Sequence, residues 1–124
     1  MRQVGVLAAA ALHALDHHVE RLADDHRRAK RLASGLWTVP GVHVPAPETN
    51  LVMIELADPA LDRDTVLRGL HARGVWMDGS GPRRIRAVTH LDVDDTGIER
   101  AIVAFQQAVT EGAPRAGTAA GRPA

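Results

Sequence analysis

Arg83-Arg84-Ile85-Arg86-Ala87-Val88-Thr89-His90-Leu91-Asp92-Val93 is the stretch on which this chain turns. It sets three arginines, a histidine and an aspartate around a short run of β-branched and small apolar residues. Ile85, Ala87 and Thr89 alternate with Arg84, Arg86 and Val88, the period of two that a half-buried strand requires. The alternation predicts Ile85 facing a core and the arginines facing away from it. Arginine carries a planar fork of donors that matches a carboxylate or phosphate. A strand of this kind can therefore present a fork to a small anion. Spacing alone leaves two readings of Arg86 with Thr89 and His90 open. One is an anion site; the other is a strand arginine paired with Asp92 or Glu48.

Outward from this strand, the pattern toward the N-terminus is helical. Leu15, Val19, Leu22, His26, Ala29, Ala33 and Leu36 recur at steps of three and four, which predicts one inward stripe from Gln3 to about Leu36. Glu20, Arg21, Asp24, Asp25, Arg27, Arg28, Lys30 and Arg31 then form a solvated face. Val4 to Leu12 is small and apolar all round and is expected to be buried on most sides, by a partner chain or by further sequence. A bend near Asp16-His17-His18 divides the region into two helices.

Gly35 and the Val39-Pro40-Gly41 turn end the second helix. Val42 to Val44 forms a short strand, Asn50 to Leu56 a nearly continuous apolar one, and Val75-Trp76-Met77 another. Asp62 or Asp64 caps a helix running to Arg73, with Val66, Leu67 and Leu70 inward and Gly74 as terminator. Asp78-Gly79-Ser80-Gly81-Pro82 reads as a turn. Asp94 or Asp95 caps a last helix to about Thr110, with Ile98, Ile102, Phe105 and Val109 inward. Residues 112–124 are rich in Gly, Ala, Pro and Arg and are expected to be disordered. The expected fold is α+β: a long N-terminal helical segment, then a small, mostly antiparallel sheet with helices on one face.

With 124 residues, the chain suits one small domain with one modest core. Lys+Arg and Asp+Glu are both 15, which argues against nucleic-acid or polybasic membrane binding. There is no cysteine, so disulfides, thiolate metal sites and cysteine nucleophiles are excluded. Two Trp, one Phe and no Tyr argue against an aromatic platform for bases or sugars. Val4 to Leu15 is too short to span a bilayer and is interrupted by His13; the chain reads as cytoplasmic.

Other candidate residues have plain explanations. His13 and His17 share a helix face with His18 adjacent, but no third ligand is fixed by spacing, so no metal is assigned. Lys30 is the only lysine and the only side chain able to form a Schiff base, yet it sits among Arg27, Arg28 and Arg31 on the charged face. Asp78 to Gly81 lacks phosphate-loop spacing, and neither Ser34 nor Ser80 stands in a GxSxG setting.

Several stretches, however, resemble a known family. Met1-Arg2-Gln3-Val4-Gly5-Val6-Leu7-Ala8-Ala9-Ala10 is similar to the segment that follows the glycine run in low-specificity L-threonine aldolases. The similarity continues through His18 to His26 and Ala29 to Ala33. It resumes at Glu48 to Val52 and at Gly74-Val75, and ends on Arg86 to Val93. Those enzymes are pyridoxal-phosphate lyases of the aspartate-aminotransferase-like fold. They cleave L-threonine or L-allo-threonine to glycine and acetaldehyde, with the cofactor as electron sink.

The resemblance implies a C-terminal part of such an enzyme. In it, residues 1–36 are helices joining a large domain, and residues 37–111 are the small domain. It implies that Arg86 holds the substrate α-carboxylate, that Arg2 lies near the cofactor, and that the full-length form is a homo-oligomer. No catalytic residue is assigned. The family's Schiff-base lysine, pyridine-nitrogen aspartate, ring-stacking histidine and phosphate loop have no counterpart here. Met1 coincides with an internal methionine of the family pattern. The chain therefore reads as a fragment or a frame restarted there, unable to form an internal aldimine alone. The alternative is a non-catalytic module that binds a small molecule or docks a separate large-domain chain.

Overall fold

A computed structural model describes residues 1–112. Four helices and four strands follow one another: α1 (Val4–His17), α2 (Leu22–Leu36), β1 (Val42–His43), β2 (Leu51–Leu56), α3 (Arg63–His71), β3 (Asp78–Gly79), β4 (Arg84–Val88) and α4 (Asp95–Gly112). The strands form one sheet in the order β1-β2-β4-β3, and every neighbouring pair is antiparallel. This is the expected α+β arrangement.

The alternation along the strands works as a two-sided code. In β4, Ile85 and Ala87 are buried while Arg84, Arg86 and Val88 are exposed. In β2, Val52, Ile54 and Leu56 are buried, and the register pairs Val52 with Ala87 and Ile54 with Ile85. The buried face meets Leu32 and Leu36 of α2, Val66 and Leu70 of α3, and Ile98, Ile102 and Phe105 of α4 in one core. Each large apolar side chain removed from water there contributes about 1.5–3 kcal/mol. All four expected inward residues of α4 are buried. Helices α3 and α4 approach closely at Gly69, where an added Cβ would lie 2.9 Å from the Ala108 Cβ.

Local signals account for the helix ends. Asp62 caps α3, its Oδ2 accepting from the Thr65 N–H at 2.8 Å. Asp94 accepts from the Gly97 N–H at 2.7 Å and so opens α4. Gly74 follows α3 with φ +73, a left-handed conformation that favours glycine.

Several expectations are corrected. The stripe Leu15, Val19, Leu22 does not face inward: these residues are 65%, 52% and 44% exposed. The turn between His17 and Leu22 resets the helical phase. The buried side of α2 is Asp25, Ala29, Leu32, Ala33 and Leu36, so Asp25 does not belong to the solvated face. Val4 to Leu12 is not covered, since α1 has no buried residue among those described. Gly35 does not end α2, which runs through it to Leu36; Gly41, with φ +75, makes the turn.

A further correction concerns Val75-Trp76-Met77, which runs without ladder bonds. The strand falls instead on Asp78-Gly79, which was expected to turn. Pairing of Asp78 with Arg86 and Gly79 with Ile85 shifts the turn to Ser80–Arg83, with the Ser80 N–H donating to the Arg84 carbonyl at 2.8 Å. The tail expected over 112–124 lies outside the described residues except for Gly112, the last residue of α4.

Candidate functional site

The three arginines of the opening stretch meet different fates. Arg83 is spent on the backbone: its Nε donates to the Leu56 carbonyl at 2.8 Å, and its Nη2 reaches the carbonyls of Leu56 and Asp58. It therefore ties the turn before β4 to the end of β2. Arg84 stands opposite Glu55 in the β2–β4 register. Arg86 stands opposite Met53 on one side and Asp78 on the other, on the sheet face away from the helices.

Arg84 and Arg86 are both exposed; Arg84 has no side-chain hydrogen bond or ion pair among the described residues, and Arg86 has one partner. The Arg86 Nη2 donates to the Asp78 Oδ2 at 3.4 Å, and the two side chains are 47% and 75% exposed. A long, exposed contact of this kind contributes at most about 1 kcal/mol. The cross-strand partner is thus Asp78, on the neighbouring strand, and not Asp92 or Glu48. Chemically, β4 presents a half-exposed guanidinium on an otherwise open strand face, flanked by Val88 and Met53.

Thr89 and His90 do not join Arg86. Thr89 is buried, and its hydroxyl donates to the Asp25 carbonyl at 2.7 Å. The Thr89 N–H donates to the Asn50 carbonyl at 3.0 Å, while Asn50 Nδ2 donates to the Thr89 carbonyl at 2.8 Å. His90 is exposed, and its Nδ1 accepts from the Asp92 N–H at 3.3 Å. The strand thus changes partners at Thr89, from solvent to the first turn of α2. There the Asp25 carboxylate, 2% exposed, is held by Arg21 Nη2 at 2.7 Å and Nη1 at 3.1 Å. Asp25 and Asn50 were missed as members of this network. The available signal for Asp25 was its position four residues before Ala29, in phase with the buried stripe.

Arg2 lies exposed in the turn before α1. Lys30 is exposed on α2 and borders an apolar cleft with Ala33, Ser34, Trp37 and Val44. His13 packs against His17 and His18 with ring centroids 4.5 and 5.4 Å apart, and no group of three or more acidic, His or Cys residues among those described is arranged to hold a metal. A cleft of about 370 Å³ lies between the 74–77 segment, the end of β4 and the first turns of α4; Val88 and Thr89 line it, but Arg86 does not.

The charges elsewhere belong to the scaffold. Arg28 and Arg27 donate to Asp95 across α2 and α4 and hold its carboxyl below the usual carboxylate range. The same contact raises Arg28. Two hydrogen bonds from Thr65, the larger from its hydroxyl, hold Asp62 below that range.

Residues 1–59 match the beta-eliminating lyase family. Over 112 residues the chain is 37% identical to low-specificity L-threonine aldolase 1 of Arabidopsis thaliana, covering 88% of this chain and 31% of that protein. The chain is similar to the low-specificity L-threonine aldolases. The low specificity L-threonine aldolase of Escherichia coli strain K12 is 36% identical over 93 residues, covering 75% of this chain and 26% of that aldolase. The chain thus spans about a third or less of the length of these aldolases.

Among solved structures, the cystine C-S lyase C-DES in complex with its product cysteine persulfide matches with a TM-score of 0.65 and 26% identity, covering 82% of this chain and 28% of that one. Another C-DES structure carries glycine covalently linked to its pyridoxal-phosphate cofactor. The α-aminoadipate aminotransferase LysN of Thermus thermophilus shares the fold, with a TM-score of 0.64 at 16% identity, covering 86% of this chain and 30% of that one. The aldolase-like chain thus has the fold of a part of pyridoxal-phosphate enzymes.

The described residues do not by themselves fit that cofactor. The one lysine is exposed on a charged helix face beside an apolar cleft. No phosphate-cradling loop and no convergent set of donors accompanies Arg2 among the described residues.

Proposed function

We propose that this chain supplies the substrate-carboxylate side of a pyridoxal-phosphate-dependent threonine aldolase, a carbon–carbon lyase acting on L-threonine or L-allo-threonine. The observation that carries the reading is Arg86. It is the arginine of the resemblance motif, and β4 presents its guanidinium on the open sheet face with one weak partner. A planar fork there can take both oxygens of an amino-acid carboxylate. When bound, the cofactor supplies the electron sink for the carbon–carbon cleavage. Arg86 binds and orients the amino acid; Arg2 is the chain's contribution near the cofactor. Since the described residues do not fit the cofactor alone, no step is assigned to them.

On this reading the helices over 1–36 join the small unit over 37–111 to a large domain, with α2 also built into the small unit's core. The full-length protein is then a cytoplasmic homo-oligomer. The exposed apolar residues of α1, among them Val6, Leu7, Leu12 and Leu15, support a cover of further polypeptide. That same surface is what a non-catalytic module docking a separate large-domain chain would use. Turnover distinguishes nothing for the chain alone, because both readings expect it to be inactive with pyridoxal phosphate and threonine. Acetaldehyde release by this chain by itself would overturn both. In a full-length aldolase carrying this segment, Arg86→Ala should raise the threonine KM about thirtyfold, the effect of losing a charge pair of about 2 kcal/mol. An unchanged KM would remove the carboxylate role.

A further inference from the structure

We infer that Asp78 is the internal competitor of the substrate carboxylate at Arg86 and sets how tightly that carboxylate is held. The inference rests on the carboxylate reading of Arg86. Asp78 and Arg86 are direct partners across the β3–β4 ladder, so their side chains share one face of the sheet. The contact runs from Nη2 to Oδ2 at 3.4 Å. Nη2 is the nitrogen common to both two-pronged approaches to a guanidinium. The side-on approach uses Nε with Nη2, and the end-on approach uses Nη1 with Nη2. A carboxylate taking either approach must therefore displace Asp78 or share its nitrogen with a second negative group.

The geometry suits a partner that can be displaced. The single contact is long, and both groups are wet, so water readily replaces it. Arg83, by contrast, is locked to two backbone carbonyls and is not free to move. Asp78 thus counts against ligand affinity while limiting where the Arg86 fork rests when empty. Neutralising it should tighten carboxylate binding by about two- to fivefold, the range that an exposed ion pair spans.

The test uses the whole chain, labelled with ¹⁵N, and follows the Arg86 Nε–Hε signal by NMR. That signal is assigned by its disappearance in Arg86→Lys. Acetate and glycine are titrated separately at constant ionic strength, balanced with chloride. Asp78→Asn should reach half-saturation at a two- to fivefold lower concentration than wild type, and Asp78→Ser should behave alike. Amide spectra report whether each variant keeps the fold, as its exposed position predicts. Equal or weaker binding by both folded variants would overturn the role of Asp78 while leaving Arg86 as the carboxylate site. Absence of any saturable, Arg86-dependent shift in wild type and in both variants would overturn the carboxylate reading itself, and this proposal with it.

Discussion

Asp25 is a buried carboxylate, 2% exposed, next to the buried Thr89. A lone carboxylate so placed is costly, and Arg21 offsets that cost with two hydrogen bonds at 2.7 and 3.1 Å. Arg21→Ala leaves the carboxylate unpaired and should lower unfolding free energy by about 1.5–3 kcal/mol in a urea titration. Thr89→Val keeps the β-branched shape but removes the hydroxyl that donates to the Asp25 carbonyl. It should cost about 1 kcal/mol, and Thr89→Ser should recover most of it. Asp62 acts at a helix end, and its carboxyl is held below its ordinary value by Thr65. A carboxyl depressed in the folded state adds stability above its unfolded value and loses it as pH falls through the folded one. The Asp62 contribution should therefore be present above the ordinary carboxylate value of about 4 and fade progressively below it, as pH falls through the lower folded value. Asp62→Asn keeps an acceptor for the Thr65 N–H. The difference between wild type and variant in thermal midpoint should accordingly change only on the acid side of the ordinary value.

At the scale of elements, the α3–α4 contact shows packing overriding propensity. Glycine inside a helix ordinarily costs about 1 kcal/mol relative to alanine. At Gly69, however, an alanine Cβ would meet the Ala108 Cβ at 2.9 Å and its Cα at 3.3 Å, atoms that no rotamer change can move. Gly69→Ala should thus destabilise the domain by about 1–2 kcal/mol rather than stabilise it, as chemical denaturation would show. The strands obey a simpler rule. The period of two in β4 sorts Ile85 and Ala87 from Arg84 and Arg86 before any tertiary contact is known. What that period cannot fix is where a two-residue strand pairs. Ladder bonds to β4 drew β3 to Asp78-Gly79 and so brought Asp78 beside Arg86.

At the scale of the molecule, α2, α3, α4 and one sheet face share a single core, while α1 adds nothing to it. Polar substitutions in α1 should consequently be silent for the stability of this chain. Leu7→Gln and Leu12→Gln, at positions 57% and 60% exposed, should each leave the unfolding free energy within about 0.5 kcal/mol of wild type. A larger loss for either would show that α1 folds back on the core. Among the described residues no helix is long and apolar enough to cross a membrane. The apolar side chains of α1 lie exposed among the described residues.

The residues alone narrowed the helix caps to Asp62 or Asp64 and to Asp94 or Asp95, and determined the inward stripe of α4 and the two faces of β4, because these depend on neighbours three or four positions apart or fewer. They also held the motif around Arg86, which is a matter of residue order. Tertiary structure decided the rest. Asp25 reads as one more charge in a charged helix; only docking of α2 on the end of β4 buries it. Arg86 was legible as the candidate fork, but only the tertiary structure placed Arg83 on backbone carbonyls, Arg84 opposite Glu55 and Arg86 beside Asp78. The physical reason is range. Propensity and periodicity act along the chain, whereas the burial of a carboxylate and the freedom of a guanidinium are set by groups tens of residues away.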